Sequence, residues 1–273
     1  MSDANFEYFN GISEHSSNLF KEGFKEDVGS NDFRLLMSML EVTDLEPNAS
    51  RTKILELCKK VISSTNSDYP AGVCVFPHYA DLVKSELDGT GVKTVSVAGG
   101  FPYGATTTKA AINECVELQL IGVDELDIVI NKGLFASKEY QKLESSLREI
   151  ISSVTIPVKV ILESGDLSDY SDIATATNIA INAGARFVKT STGKTPIGAT
   201  PFAVYAICKE VYKHYHNTGE KIGIKISGGV KNLKTANGYL NIVKNTLDQS
   251  WLTPKYLRFG ASSLYDEILS VSL

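Results

Sequence analysis

The sequence predicts an α/β protein of the (β/α)8 type, a TIM barrel, with an additional N-terminal helical segment. Two observations carry this. Eight short runs rich in β-branched residues recur along the chain, each followed by a stretch with helical spacing. Successive runs start 21–35 residues apart, about the length of one strand plus one crossover helix. Eight such units within 273 residues favour a closed barrel over an open sheet.

Residues 1–34 fall outside the repeat. Their amphipathic stretch 12–24 reads as an extra helix that closes the barrel bottom or serves an interface, and 35–273 reads as one barrel domain. The predicted strands are 39–45, 72–76, 93–98, 126–131, 158–162, 187–190, 222–226 and 256–260. The intervening helices show readable ends. In 105–121, Ala111, Ile112, Cys115, Val116 and Leu118 recur at helical spacing, and Gly122 stops the helix. In 200–213, Thr200 fits the N-cap and Pro201 the first helical position. Ala203, Ala206, Ile207 and Val211 form its buried stripe. The helix before the sixth run ends at Gly184.

Composition narrows the function. Hydrophobic residues make up 43% of the chain and charged residues 22%, ordinary for a folded globular protein. A net charge of −5 argues against a nucleic-acid binder, which normally shows a basic face. No uncharged apolar stretch reaches the ~18 residues that would suggest a membrane span. The polar start lacks a secretion signal, so a cytoplasmic protein is expected. Cys58, Cys74, Cys115 and Cys208 are widely spaced in apolar contexts, without CxxC spacing. Buried free thiols are expected rather than a metal site or redox pair.

Strands of a parallel barrel are nearly continuous hydrophobic runs, yet four here carry an ionisable residue in mid-strand. They are Asp127, Lys159, Lys189 and Lys225, on predicted strands four to seven. An interior ion pair alone would explain one such residue. Three lysines on consecutive strands need more, because excess buried positive charge is costly. Adjacent strands lie roughly 4.8 Å apart, so Lys189 and Lys225 can sit side by side. Mutual repulsion and desolvation are expected to lower a lysine pKa and leave a nucleophilic amine. Such an amine forms a Schiff base with a carbonyl, and Asp127 is placed to move protons. This is the pattern of a metal-free aldolase that needs no cofactor.

The loops beyond the last three strands suggest an anion site. They read Thr190-Ser191-Thr192-Gly193-Lys194, Ser227-Gly228-Gly229-Val230-Lys231 and Gly260-Ala261-Ser262-Ser263. Loops after strands seven and eight, with a helix N-terminus, form the usual phosphate site of such barrels.

These strings resemble the deoxyribose-phosphate aldolase family. The resemblance rests on Phe187-Val-Lys-Thr-Ser-Thr-Gly-Lys194, Lys225-x-x-Gly-Gly-Val230 and Arg258-Phe-Gly-Ala-Ser-Ser-Leu264. Glu125-Leu-Asp-Ile-Val129, Lys159-Val-Ile-Leu-Glu-Ser-Gly165 and Cys74-Val-Phe-Pro77 match in the same order. It implies a reversible cleavage of 2-deoxy-D-ribose 5-phosphate to glyceraldehyde 3-phosphate and acetaldehyde, without a metal. By the same resemblance Lys189 is the Schiff-base lysine, Lys225 the lysine that perturbs its pKa, and Asp127 the relay carboxylate. Lys159 supports the relay and Thr192 contacts a substrate hydroxyl. Gly193, Lys194, Gly228, Gly229, Ser262 and Ser263 form the phosphate cradle. Two departures stand out. Some members end in a tail whose terminal tyrosine assists proton transfer, whereas this chain ends Ser270-Val-Ser-Leu273. Lys225 is followed by Ile-Ser where many members have Pro-Ala.

The alternatives are a related Schiff-base aldolase for another sugar phosphate and a non-catalytic sugar-phosphate sensor. A sensor has no need of a nucleophile at Lys189. A metal-dependent aldolase needs clustered histidines. His214 and His216 read as surface residues at a helix end, and His78 as a minor contact at most. Glu163 and Asn131 read as polar filling of the barrel mouth. A homodimer or larger homo-oligomer is compatible with the extra helix.

Overall fold

Eight parallel strands follow one another around a closed barrel in chain order, with β8 hydrogen-bonded back to β1. The computed structural model describes residues 3–26, 29–63, 69–167 and 169–271. Two helices come first, α1 (Asp3–Lys25) and α2 (Ser30–Ser38), followed by β1 (Leu40–Thr43) and α3 (Arg51–Ile62). Then come β2 (Gly72–Val75), α4 (Ala80–Glu86), β3 (Lys93–Ala98), α5 (Thr108–Ile121) and β4 (Glu125–Val129). The chain continues through α6 (Lys132–Ala136), α7 (Tyr140–Ser152), β5 (Val158–Ile161), α8 (Tyr170–Asn182) and β6 (Phe187–Lys189). It closes with α9 (Pro201–Thr218), β7 (Gly223–Ser227), α10 (Leu233–Thr246), β8 (Leu257–Gly260) and α11 (Ser263–Val271). All eight predicted strands are present, most of them shorter by one to three residues. The boundary drawn at 34/35 falls inside α2.

Side-chain caps set several helix starts. Ser50, Thr107, Asn131, Asp169, Thr200 and Asn232 each accept a backbone N–H from three residues on. Each such cap is worth about 0.5–2 kcal/mol. Asn131, expected to fill the mouth, therefore caps α6. Gly122 and Gly219 end α5 and α9 in the left-handed region, where a side chain is disfavoured.

The strand residues alternate in a way that positions the site. Val42, Val73, Leu126, Ile128, Val160, Val188, Ile224 and Phe259 are buried in the main apolar core with the surrounding helices. The intervening residues face the barrel interior. Val97, Asp127 and Lys159 are register partners, as are Lys189, Lys225 and Arg258. The interior is thus apolar on one side, with Cys74, Val95 and Val97 clustered under Phe76 and Phe101, and ionic on the other.

The extra helix α1 packs along α9 and α10 on the outside of the barrel, rather than under it. Asn237 and Asn241 on α10 donate side-chain amides to the Gly23 and Leu19 carbonyls at 2.7 and 2.8 Å. The Phe20 ring sits over Gly238 and edge-on to Tyr239. All four cysteines are free and buried, as expected. No described helix is long and apolar enough to cross a membrane.

At the base of the barrel a Cβ on Gly223 would lie 2.3 Å from the Phe187 ring. That ring flanks the Lys159 and Arg258 heads at 5.9 and 5.8 Å. Gly223→Ala is therefore expected to cost about 1–3 kcal/mol through overpacking, read as a lower denaturant midpoint at an unchanged slope. An unchanged midpoint would show that the base has slack.

Candidate active site

Asp127, on β4, is the centre of the ionic half of the barrel. Its Oδ1 accepts from Lys159 Nζ at 3.0 Å, and its Oδ2 accepts from both Lys189 and Lys225 Nζ at 2.7 Å. Glu41, on β1, pairs with Lys225 and with Lys159, the latter at 3.4 Å. Glu125 holds Lys159 at 2.7 Å and Arg258 at 3.3 Å, and Arg258 also lies 3.5 Å from Glu41. Asp127, Glu41, Lys159 and Lys225 are fully buried, and Lys189 is 2% exposed. The structure thus brings together the four charged residues read from the strands.

It adds three that the sequence reading left unused: Glu41, Glu125 and Arg258. Glu41 and Glu125 gave the same signal as Asp127, an acid within a predicted strand or at its edge.

The electrostatics differ from those of a bare lysine pair. Burial pushes the Asp127 carboxyl up, but Lys159, Lys189 and Lys225 together hold it well below the usual carboxylate range. Glu41 is likewise lowered, as Lys159 and Lys225 outweigh its burial. For Lys225 burial acts downward, yet Asp127 and Glu41 raise its pKa on balance. Lys159 is raised in the same way by Asp127, Glu41 and Glu125. The expectation that repulsion lowers the lysine pair therefore needs correction at Lys225. A carboxylate oxygen stands between the two ammonium groups, and its attraction exceeds their repulsion.

Among the described residues one buried group has metal-ligand character, made of Glu41, Cys74 and Asp127. Both carboxylates are already engaged by ammonium groups, and burial pushes the Cys74 thiol up to about 11. A thiol that stays protonated, ringed by cations, is a poor metal ligand.

Lys189 connects this network to a cavity of about 210 Å³ at the C-terminal end of the strands. Gly193, Lys194, Gly228, Gly229, Ser262 and Ser263 all line the same cavity, joined by Lys231. The three glycines have φ of +76°, +81° and +88°. A Cβ at Gly228 would also come within 2.4 Å of Ser191 Oγ, so its backbone can approach only as glycine. The β6 and β7 loops are stitched together. Thr190 and Ser191 donate to the Ser227 carbonyl at 2.9 and 2.5 Å, and Ser227 donates to the Ser191 carbonyl at 2.6 Å. Across the cavity Lys194 pairs with Glu46 at 3.1 Å.

The remaining candidates are placed differently. Thr192 borders the cavity, but its hydroxyl donates to Glu163 Oε2 at 2.5 Å. Glu163 is 1% exposed and holds the β6 loop. His78 is exposed on the turn after β2 and rests against Tyr79. His214 is half-buried near Glu220, and His216 is exposed.

A cluster this deep ties stability to pH. Asp127's contribution is present above its ordinary value of 3.8 and is lost as pH falls toward its lowered folded value. That of Lys225 is present up to 10.5 and is lost as pH rises toward its raised folded value. Asp127→Asn leaves buried ammonium groups without their shared anion, which is expected to cost about 3–5 kcal/mol. The alkaline limb of the stability profile should also move to lower pH. Urea unfolding at intervals from pH 3 to 11 reads both effects, and a variant profile superimposable on the wild type would contradict them.

The family model of the DeoC/LacD family aldolases matches residues 38–251. A human protein named deoxyribose-phosphate aldolase is 31% identical over 247 residues, covering 85% of this chain and 78% of its own. Among solved structures, "QR15, an Aldolase" is 31% identical with a TM-score of 0.69, covering 86% of this chain and 96% of its own. A deoxyribose phosphate aldolase from Aeropyrum pernix, described as tetrameric, shares the fold. It has a TM-score of 0.69 at 24% identity and covers 93% and 96% of the two chains. The chain belongs to the DeoC/LacD aldolase family and is a lyase.

Proposed function

We propose that this DeoC/LacD family aldolase cleaves 2-deoxy-D-ribose 5-phosphate reversibly through a Schiff base on Lys189. The observation that carries the reading is that Lys189 belongs to two places at once. It is an ion-pair partner of Asp127 and also part of the wall of the glycine-lined cavity.

The steps follow from that position. The Lys189 amine adds to the C1 aldehyde of the open-chain sugar, and loss of water gives a protonated imine. A proton leaves the C3 hydroxyl, the C2–C3 bond breaks, and its electron pair moves toward the iminium nitrogen. C3 departs as the aldehyde of glyceraldehyde 3-phosphate, and the two-carbon enamine remains on Lys189. Protonation at carbon and hydrolysis release acetaldehyde and restore the amine. The iminium carries the same charge as the ammonium it replaces, so Asp127 faces a cation at that stage, whereas the attacking amine and the enamine are neutral. A carboxylate held this far below its usual range is a weak base. Its part is to hold charge and pass protons with Lys225 and water, not to store a proton at rest. At the far end of the substrate, the backbone of Gly193, Gly228 and Gly229 and the start of α11 at Ser263 receive the phosphate. Lys194 and Lys231 supply charge there.

Borohydride trapping with acetaldehyde, followed by peptide mass spectrometry, tests the nucleophile. A two-carbon adduct on Lys189, absent in Lys189→Leu and formed without added metal, is the expected result. A folded wild type that forms no adduct would remove the catalytic reading. Lys194→Ala is expected to raise KM for the phosphorylated sugar by about 10-fold or more, as one charge-assisted hydrogen bond is lost. Glu46→Gln frees Lys194 from an exposed pair worth about 0–1 kcal/mol and is expected to lower KM by up to about 5-fold. A rise in KM would assign Glu46 the opposite role.

A further inference from the structure

Glu163 occupies a conformation that residues with a Cβ avoid. Its φ and ψ are 57° and 54°, in the left-handed region. It and Lys138, also at φ 57°, are the two non-glycine residues in the left-handed φ range among those described. Glycine would sit there without strain, yet the position holds a carboxylate buried to 1% exposure. Strain kept at such a site points to work done by the side chain.

That work is visible in its partners. Oε1 accepts from the Thr192 backbone N–H at 3.0 Å and from the Thr195 hydroxyl at 3.2 Å. Oε2 accepts from the Thr192 hydroxyl at 2.5 Å and from Lys132 Nζ at 3.2 Å. The Thr192 oxygen in turn accepts the Lys194 backbone N–H at 3.0 Å. One carboxylate thereby fixes both ends of the 192–195 turn and the peptide leading into Lys194. Gly193, at the turn's tip, and Lys194 are left facing the 210 Å³ cavity, whose lining does not include Glu163. The backbone around Glu163 is pinned as well. Ser164 N–H donates to the Thr190 carbonyl at 2.8 Å, and Asp166 N–H donates to the Glu163 carbonyl at 2.9 Å.

We propose that Glu163 is a positioning residue for the phosphate end of the substrate, acting through the 192–195 turn. In that role it sets the preference for a phosphorylated over an unphosphorylated sugar. Lys132, shared with Asp166 at 3.0 Å, offsets part of its charge on the side away from the cavity. The proposal rests on the functional reading above for the identity of the substrate, but not for the existence of the anion site.

The test compares wild type with Glu163→Gln, Glu163→Ala and Glu163→Gly. Three readouts are taken: kcat and KM with 2-deoxyribose 5-phosphate, the same with 2-deoxyribose, and acetaldehyde trapping at Lys189. Displacing a binding group by an ångström can cost up to about 100-fold. The expected result is a loss of about 10-fold or more in the phosphorylated-to-unphosphorylated ratio of kcat/KM, carried by KM. Trapping at Lys189 should stay within about twofold of wild type. Glu163→Gly relieves the backbone but removes the carboxylate, so it should lose the preference as well. The proposal is overturned if the ratio is unchanged in the variants. It is also overturned if both substrates and trapping decline together, which is the mark of a merely structural role. Should Glu163→Ala fail to fold, Glu163→Gln decides. If the wild type traps acetaldehyde but does not turn over the sugar phosphate, the substrate reading has failed. Calorimetric titration with inorganic phosphate then still decides for Glu163, by an affinity weakened about 10-fold in Glu163→Gln or left equal.

Discussion

One shared carboxylate holds the centre of this barrel together. Asp127 receives three lysines at 2.7–3.0 Å, two of them on a single oxygen. Burying one ammonium costs several kcal/mol after relaxation, and the cost is recovered only with good geometry and further hydrogen bonds. Glu41 and Glu125 supply those further contacts to Lys159 and Lys225. Removing Asp127 therefore does not delete one ion pair. It strips Lys189 of its one ion-pair partner among the described residues and leaves Lys159 and Lys225 to share Glu41 and Glu125.

The barrel can carry such a network because strands alternate. Each strand gives its apolar residues to the helices outside, where Leu126, Ile128, Val160 and Ile224 are buried in the main core. Stability is thus secured in the layer between sheet and helices, and the inner residues are released for chemistry. Closure of the barrel then makes neighbours of residues far apart in sequence. Glu41 and Lys225 are separated by 184 residues, yet they meet across the interior. The loops beyond the strands add the glycine-lined cavity at the open end.

This division explains what was legible in the sequence. The strands and several helix ends were, because β-branched runs, Gly122 and Thr200 act locally. Lys159, Lys189, Lys225 and Asp127 were also legible, since a charge in the middle of an apolar run contradicts its surroundings. Glu41 carried the same signal inside the predicted strand 39–45, whereas Glu125 stands at the very start of its strand, where a charge contradicts its surroundings less. The rise at Lys225 was not legible. Its sign depends on how many carboxylates converge, and convergence is a property of the closed barrel rather than of any strand. The Thr192 hydroxyl was hidden in a similar way, as its partner, Glu163, lies on a different strand's loop.

The same convergence sets the three interior lysines apart from one another. The network gathers Lys159, Lys189, Lys225 and Arg258 around the carboxylates of Glu41, Asp127 and Glu125, and Lys93 adds a fifth cationic head to Glu125 at 3.7 Å. Addition to a carbonyl needs an amine that a substrate can reach. Lys159 is engaged by three carboxylates and Lys225 by two, whereas among the described residues Lys189 pairs with Asp127 alone. Lys159 and Lys225 are also fully enclosed, while Lys189 lines the cavity. The amine with the fewest counter-charges is therefore also the one a substrate can reach. The nucleophile of the proposed reaction therefore stands at the edge of the ionic cluster rather than at its centre, and one position on β6 gives it both properties.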